Sequence, residues 1–435
     1  MASNAKVMTH TGVLYSDRRD FYIRPNVVKE LWTDVAPFTT VIANQNTMTG
    51  MADPQFKMFE HRNPWAKQYA QVHSDANGQA FAADNAEDDL EIKAGSIVGM
   101  EGEGTRTSYD SHIGLMLEVW DSTKTTKRGV LLITNKGTNK WVCKNMGDAT
   151  VTTSTDDYLF VVGNAYGEGT NAGTAWSDEL SVVYNQCQIF KTPLQITGTL
   201  LEASLRGESS ELARLREQKS QEHKVQKERA FLFGRSPINT SGGFNDNSLS
   251  DTNGNVVRST MGILPAIEKH GASSGDDQNI FEISEASYSY GSFVDDMEKV
   301  FQYVPEAGIK RAFCGMGAMS YWSKMAGSSG LAGNSGWTVN LADMKRDSLG
   351  FNYRTLETPH GALQLIPTPV LRDAYNKTML VVSDDNLFHA QYRAPKFQAN
   401  ILTDDAYDGV KDQYFSDEGI GVTLIESHKK FSIVA

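Results

Sequence analysis

The chain has 435 residues, of which 40% are hydrophobic and 22% charged, and 41 basic against 53 acidic side chains give a net charge of −12. This composition excludes wholesale disorder and lacks the basic footprint of a dedicated reader of duplex nucleic acid, and the length suggests roughly three domains. No apolar run approaches the roughly 20 residues of a membrane helix, no signal peptide is recognised at the N-terminus, and three scattered cysteines fit a reducing compartment without export.

The first 54 residues contain few long periodic segments and are predicted to form an extended arm. The pattern of Phe21 to Trp32 is typical of a short helix, which Pro37 is predicted to end. Residues 44–54 are rich in turn-forming residues. The alternation over residues 55–60 then predicts the first strand of a folded body.

A polar segment from His61 to Glu91 comes before a series of short β patterns. Its acidic cluster leaves open a solvated loop, which we favour, or a Ca²⁺ or Mg²⁺ site; the cluster is Asp84, Glu87, Asp88, Asp89 and Glu91. Turn-rich clusters separate five candidate strands, at 97–100, 114–120, 130–134, 140–143 and 158–163. This spacing predicts a small antiparallel barrel or sandwich.

A long charged helix is predicted over residues 208–233, which contain neither Gly nor Pro and include 11 charged residues. Ser210 or the serine before it is placed to cap its start, and Gly234 to end it. Two helix-spaced ion pairs are expected along it: Glu211 with Arg214, and Lys224 with Glu228. Because its apolar stripe is thin, we expect the helix to lie on a surface, anchored mainly at its ends, with His223 solvated.

The rest of the chain alternates helix and strand patterns and then becomes mostly β. Helices are predicted over 261–270, 285–303 and 318–325, and strands over 309–314, 363–367, 379–382, 396–402 and 420–426. The fold class is therefore predicted to be α+β.

The sequence offers little support for catalysis. Ser273 lies in a Gly-x-Ser-x-Gly segment, but a helix pattern comes before it where a hydrolase needs a strand, so we favour a helix-ending loop. Residues 251–262 imitate the start of a calcium loop without its glycine and its final glutamate. The histidines never pair at metal-ligand spacing. We predict a protein that is not an enzyme and holds no cofactor or metal, with a hydrolase using Ser273 as a remote alternative.

Six short segments occur in an order that resembles one branch of the tailed-phage major capsid proteins. They are Ala-Pro-Phe-Thr-Thr at 36–40, Gln-Phe-Lys-Met-Phe-Glu at 55–60, Asn-Gln-Cys-Gln-Ile-Phe at 185–190, Thr-Gly-Thr at 197–199, Phe-Leu-Phe-Gly at 231–234 and Met-Gly-Ile-Leu at 261–264. The order of arm, β excursion, long helix, α/β unit and β return is similar to the Hong Kong 97-type capsid fold of that family.

The resemblance implies an organisation into the parts that the family defines. These are an N-arm at 1–54, the first P-domain strand and E-loop start at 55–91, a β-rich domain inserted in the E-loop at 92–180, the E-loop return and P-domain with its spine helix at 181–255, an A-domain at 256–369 and a P-domain return at 370–435. The inserted domain is expected to be small and barrel-like.

The resemblance further implies a major capsid protein. It would assemble in the host cytoplasm as hexamers and pentamers into an icosahedral head around double-stranded DNA, with portal, scaffolding and cement proteins as partners and no membrane. Eleven residues are expected at assembly interfaces: Pro37, Phe38, Phe56, Phe59, Gln188, Phe190, Arg214, Arg216, Glu217, Lys224 and Glu228.

The alternative is a virion module that binds glycans or a cement protein through the β insert. Its aromatic residues Trp120, Trp141 and Tyr158 would then stack on sugars, although core positions are the more common role of such side chains.

The charge is spread unevenly along the chain. Residues 1–60 carry six basic and six acidic groups, 61–190 carry ten and 17, 191–260 carry ten and eight, and 261–435 carry 15 and 22. The arm and spine segments, which the resemblance turns toward DNA, are thus neutral to slightly basic. A neutral to slightly basic charge suits an inner capsid surface that neither repels DNA nor binds it tightly.

Overall fold

The computed structural model describes residues 36–45, 47–61, 69–83, 86–93, 110–175, 180–203, 210–237, 249–275, 277–303, 308–328, 340–341, 345–346, 352–401 and 408–434. They form two compact units, of which unit 1 comprises the described parts of 1–58 and 182–435 and unit 2 those of 59–181. The predicted helix at 21–32 and the predicted strand at 97–100 lie outside the described residues.

Six helices and 22 strands occur in the described residues. The helices are α1 Pro37–Gln45, α2 Gly198–Glu202, α3 Glu211–Phe233, α4 Ile263–His270, α5 Tyr290–Phe301 and α6 Met316–Ser328. The strands are β1 Thr47–Thr49, β2 Gln55–Glu60, β3 Tyr69–Gln71, β4 Ala80–Phe81, β5 Glu87–Glu91, β6 Leu115–Trp120, β7 Lys127–Gly137, β8 Lys140–Asn145, β9 Val151–Thr152, β10 Tyr158–Asn164, β11 Ser181–Gln186, β12 Gln188–Thr197, β13 Ile280–Ser284, β14 Ile309–Cys314, β15 Asn340–Leu341, β16 Lys345–Arg346, β17 Asn352–Thr358, β18 Gly361–Pro367, β19 Thr378–Val382, β20 Leu387–Gln398, β21 Gly409–Val422 and β22 Lys429–Val434.

Unit 2 is built on a six-stranded antiparallel sheet in the order β3-β10-β6-β7-β8-β5. Its two edge strands meet at a bridge between Val72 and Ile92, so the sheet closes on itself. Alternate side chains fill the interior, which includes the fully buried Trp141, whose indole N–H donates to His112 Nδ1 at 3.2 Å. The strand patterns at 114–120, 130–134, 140–143 and 158–163 are confirmed as β6, β7, β8 and β10.

Asp84 of the acidic cluster lies outside the described residues, but the other four residues of the cluster do not form a loop. Residues 87–91 form β5, which pairs with β8, and Leu90 is buried in the interior. Lys144 lies 3.5 Å from Glu87, and Lys140 pairs with Asp89. The prediction of a solvated loop was wrong because cross-strand lysines neutralise the carboxylates that made the segment look unsuited to a sheet. Strands β3, β4 and β5 belong to unit 2, which therefore takes in residues on both sides of the predicted boundary at 92.

Unit 1 contains two larger sheets, and β2 pairs with β11 where the chain passes between the two units. The four-stranded sheet has the order β1-β20-β21-β12, and α3 packs on β12 and β21. The eight-stranded sheet has the order β13-β22-β19-β14-β18-β17-β15, with β16 paired to β17. Helices α5 and α6 cover it through Phe293, Met297 and Trp322, which share a core with Phe431. Strands β19 and β22 thus join the sheet of the segment that was assigned to the A-domain.

The short helix predicted at 21–32, which Pro37 was predicted to end, lies outside the described residues, and Pro37 itself is the first residue of α1. At this position proline loses no hydrogen bond, and its fixed φ suits the helix. The long helix is confirmed as α3, with Ser210 as its N-cap and Gly234 at its end. Among the described helices, none is long and apolar enough to cross a membrane.

The end of α3 passes in close contact with the start of α4. The N–H of Gly262 donates to the carbonyl of Gly234 at 2.7 Å. A Cβ on Gly262 would stand 2.8 Å from the carbonyl oxygen of Phe231, and one on Gly234 would stand 2.6 Å from that of Thr260. Both glycines of the segments at 231–234 and 261–264 are therefore required by backbone contact.

We expect Gly262→Ala to lower the free energy of unfolding by about 1–3 kcal/mol, since a methyl group at this crossing must push two backbone segments apart. The measurement is urea unfolding of the full-length subunit followed by circular dichroism. Gly291→Ala is the matched control, because a Cβ there, inside α5, meets nothing closer than 3.6 Å. Equal effects of the two substitutions would contradict the steric explanation.

Candidate functional site

The helix α3 is held to the rest of unit 1 largely by buried polar side chains. Five of its residues are buried: His223, Lys227, Glu228, Phe231 and Leu232. Only the last two are apolar, and they lie in the final turn. The expectation of a surface helix anchored mainly at its ends is therefore corrected, since polar contacts fix its middle as well.

Glu228 caps the N-terminus of α1. The backbone N–H groups of Phe38 and Thr39 donate to its carboxylate at 3.0 and 2.7 Å, and the Thr39 hydroxyl donates at 2.6 Å. Ala36, the residue immediately before α1, has no side-chain acceptor. The free N–H groups at the start of the helix therefore donate to Glu228, which lies 189 residues after Thr39 in the chain. Phe38 meanwhile packs edge-on against Phe313, with ring centroids 5.0 Å apart. The Ala-Pro-Phe-Thr-Thr segment thus supplies the donors of this helix cap, and Glu228 of α3 supplies the acceptor.

The pKa of Glu228 is raised to about 7, because complete burial disfavours the charged form more than the Thr39 and Phe38 hydrogen bonds favour it. The expected helix pairing of Glu228 with Lys224 gives way to this contact, since Glu228 faces the interior and Lys224 is exposed.

His223 is buried, so the prediction of a solvated histidine was wrong. Its Nδ1 lies 2.9 Å from the hydroxyl of Thr192, and its Nε2 lies 3.1 Å from the hydroxyl of Ser416. Because the Thr192 hydroxyl donates to Gln226 at 3.0 Å, it accepts from His223, which therefore carries its hydrogen on Nδ1. Burial, followed by the charge of Lys227, lowers the pKa of His223 to about 4.

Lys227 and Arg216 join α3 to acidic residues of β21. The ammonium of Lys227 lies 3.1 Å from Glu418, which is fully buried and also lies 3.3 Å from His389 Nε2. Burial alone would raise the pKa of Glu418, but His389 and Lys227 outweigh it and lower that pKa. Nearer the start of the helix, Arg216 lies 2.7 Å from the buried carboxylate of Asp412.

Asp417, next to Glu418 on β21, points to the opposite side of the strand. It accepts from Arg258 and Arg393, each at 3.1 Å, and it too is fully buried. The guanidinium of Arg393 also lies 4.4 Å from the centre of the Phe415 ring. The carboxylates of β21 therefore connect α3, the segment before α4 and β20 within one subunit.

The Asn-Gln-Cys-Gln segment at 185–188 binds the chain that leads into α4. Asn185 donates to the carbonyls of Met261 and Ile420 at 3.0 and 2.6 Å and accepts from the Met261 N–H at 2.9 Å. Gln186 donates to the carbonyl of Ser259 at 3.2 Å. The polar side chains of this segment thus join β11 to β21 and to the residues before α4 within the subunit.

The structure separates the predicted interface residues into three groups by exposure. Pro37, Phe38, Phe56, Phe190 and Glu228 are buried inside the subunit, while Gln188, Arg214 and Arg216 are partly covered by contacts within it. Phe59, Glu217 and Lys224 are exposed. These three are the ones that the folded subunit leaves available to another copy.

The catalytic and metal alternatives gain no support from the described residues. Ser273 lies in the exposed segment after α4, with Gly271 as the C-cap of that helix. In the part of the chain that the structure describes, no group of three or more His, Cys, Asp or Glu side chains is placed to hold a metal ion. Of the three aromatic residues considered for sugar stacking, Trp141 is in the core, whereas Trp120 and Tyr158 line a surface cleft.

Comparison with known proteins identifies the family. The sequence model of the SU10 major capsid protein family matches residues 33–423, which include α1, α3 and β21. The chain belongs to this family. Its resemblance to tailed-phage major capsid proteins with the Hong Kong 97-type, α+β capsid fold is thereby confirmed. The chain is a major capsid protein of a phage head, a structural component of the virion.

Solved capsid structures are similar at low sequence identity. The capsid of a native GTA particle is 9% identical with a TM-score of 0.47, and the match covers 99% of this chain and 100% of that one. The capsid of Myoviridae phage XM1 is 8% identical with a TM-score of 0.45, covering 98% and 100%. The SrpI encapsulin of Synechococcus elongatus PCC 7942 is 7% identical with a TM-score of 0.37, covering 58% and 77%. No curated protein matches the chain.

Proposed function

We propose that this SU10-family capsid protein assembles as hexamers and pentamers into an icosahedral head that encloses double-stranded DNA. Assembly takes place in the host cytoplasm, with portal and scaffolding proteins as partners and a cement protein as a further candidate. The contribution of the chain is mechanical, since subunit burial and lattice closure need no catalytic group or cofactor.

The observation that carries the proposal is that large apolar side chains are exposed on strands whose opposite face is buried. Phe59 is 67% exposed between the buried residues Met58 and Glu60 of β2. Ile189 is 40% exposed on β12, next to Phe190, which α3 covers. Contact with neighbouring copies would remove these surfaces from water.

The exposed charges of α3 suit a wall facing DNA. Glu217, Lys224 and Arg229 are exposed along this helix, while Lys227 is directed into the subunit toward Glu418. The side of α3 that faces solvent therefore mixes both signs, and contact with phosphates would be weak and independent of base sequence. This supports enclosure of DNA without specific binding.

We expect Phe59→Asp to lower the yield of particles roughly tenfold or more, since it replaces an apolar contact with a charge that must be desolvated. Particles are counted by electron microscopy and by native mass measurement after coexpression with a scaffolding protein. Phe59→Leu is the matched control and should assemble, and circular dichroism should show both variants folded. A wild-type subunit that stays a monomer under all assembly conditions would refute the proposal.

A further inference from the structure

The outer face of unit 2 carries a cleft of about 350 Å³. Six side chains line it: Tyr69, Glu118, Trp120, Lys124, Tyr158 and Phe160. On β10, Tyr158 lies opposite Trp120 of β6, and Phe160 lies between Tyr69 of β3 and Glu118 of β6. Their strand neighbours, such as Val119 and Leu159, are buried, so alternation turns the cleft residues away from the interior.

Four aromatic rings lie on the outward face of this sheet, where packing of the interior does not require them. Phe160 remains 49% exposed, and the rings of Tyr69 and Tyr158 stand 5.8 Å apart, tilted against each other. Exposed aromatic faces of this kind mark binding surfaces, and the volume lies at the lower end of the range for small-molecule sites.

The rim of the cleft is pre-formed. Asp121 accepts from the N–H groups of Thr125 and Thr126 at 2.8 and 3.2 Å, which fixes the turn between β6 and β7. Burial would raise the pKa of Asp121, but these bonds and those from the threonine hydroxyls outweigh it and lower that pKa to about 2. In this turn Lys124 has a φ of 58°, and its ammonium lies 4.3 Å from the centre of the Tyr158 ring.

The charges at the cleft decide the class of ligand. Glu118 accepts from the Trp120 indole at 3.1 Å and pairs with Lys127, and Lys124 rests on a ring. A cationic ligand would meet two lysines, and an anionic ligand would meet a carboxylate. Both are disfavoured relative to an uncharged molecule that offers apolar faces to the rings and hydroxyl groups to Glu118 and Lys124.

We propose that this cleft binds a neutral saccharide, with the C–H face of a sugar ring stacked on Phe160 and Trp120. Hydroxyl groups at the edge of the sugar would donate to Glu118 and accept from Lys124. Such a site adds recognition of a glycan to the capsid role and does not depend on that role.

The test applies the full-length protein to an array of neutral hexose and N-acetylhexosamine oligosaccharides, with sialylated and sulfated ones alongside. We expect retention on neutral glycans and a loss of roughly tenfold in Phe160→Ala and in Trp120→Ala, about the contribution of one stacked ring. Val162→Ala is the matched control, because Val162 is 51% exposed on the same strand and face but outside the cleft.

Three results would overturn the proposal. One is a wild-type protein that binds no neutral glycan, and another is retention that Phe160→Ala leaves unchanged. The third is a Phe160→Ala protein that folds but fails to form particles while Val162→Ala forms them, which would identify the cleft as a contact between copies.

Discussion

Lys227→Met is expected to lower the free energy of unfolding by about 3–5 kcal/mol, the usual cost of leaving one member of a buried ion pair alone. Glu418 would keep a fully buried charge, with His389 Nε2, at 3.3 Å, as its remaining ion-pair partner among the described residues. Methionine retains the aliphatic stem of the lysine, so little of the loss comes from packing. Urea unfolding of the full-length subunit, followed by circular dichroism, measures the change.

Lys224→Met provides the matched control, because Lys224 lies on the same helix and is exposed. We expect it to change the free energy of unfolding by less than about 0.5 kcal/mol. Adding Glu418→Gln to Lys227→Met should recover part of the loss, since the second substitution removes the uncompensated charge. Equal effects of the two lysine substitutions would show that the buried pair does not hold α3 in place.

Glu228→Ala is expected to lower the free energy of unfolding by about 3 kcal/mol, because it leaves the first N–H groups of α1 without an acceptor in a buried place. Hydrogen exchange of residues 37–45 should accelerate, which separates loss of the α1 cap from a general loss of stability. Glu217→Ala, at an exposed position of the same helix, is the control. Unchanged exchange in α1 would contradict the capping role.

The same carboxyl group predicts a dependence on pH. In the unfolded chain Glu228 ionises near its ordinary value of 4.5, and in the folded subunit its pKa is about 7. Between these values the folded state binds more protons at Glu228, so the contribution of this group to stability is greatest below about 4.5 and falls as pH rises toward 7, by on the order of 3 kcal/mol. Glu228→Gln should lack this fall when both proteins are unfolded at pH 5 and 7.5. Parallel profiles would refute the assignment.

The sequence predicted where α3 begins and ends but not what it contacts. Its bounds follow from local chemistry, namely a serine cap, a stretch without Gly or Pro and a closing glycine. Its buried partners Thr192, Glu418 and Thr39 lie far away along the chain, so no local pattern distinguishes His223 or Glu228 from solvated residues. Charged residues in a helix are usually solvated, and here tertiary contacts overrode that rule.

Other errors left a local signal that was available. A helix that begins at Pro37 was not predicted, although proline favours the first position of a helix, and the residues after it continue as α1. On β8, alternation places Trp141 on the opposite face of the strand from Lys140 and Lys144, which predicts that Trp141 lies in the core. On β6, alternation places Trp120 on the same face as Glu118, which predicts that Trp120 lies on the surface. The resemblance of six short segments pointed to the family, and four of them, at 36–40, 185–190, 231–234 and 261–264, make contacts that join α1, α3 and the start of α4.

The strand order has a consequence for the timing of synthesis. In the four-stranded sheet β21 lies between β20 and β12, and in the eight-stranded sheet β22 lies between β13 and β19. Each of these strands comes later in the chain than the two strands it joins, so neither sheet can close until β21 and β22 have been synthesised, and α3 lacks its buried carboxylate partners until then. Unit 2, by contrast, is continuous in sequence and can fold much earlier. A chain truncated before β21 would therefore contain a complete unit 2 and an incomplete unit 1.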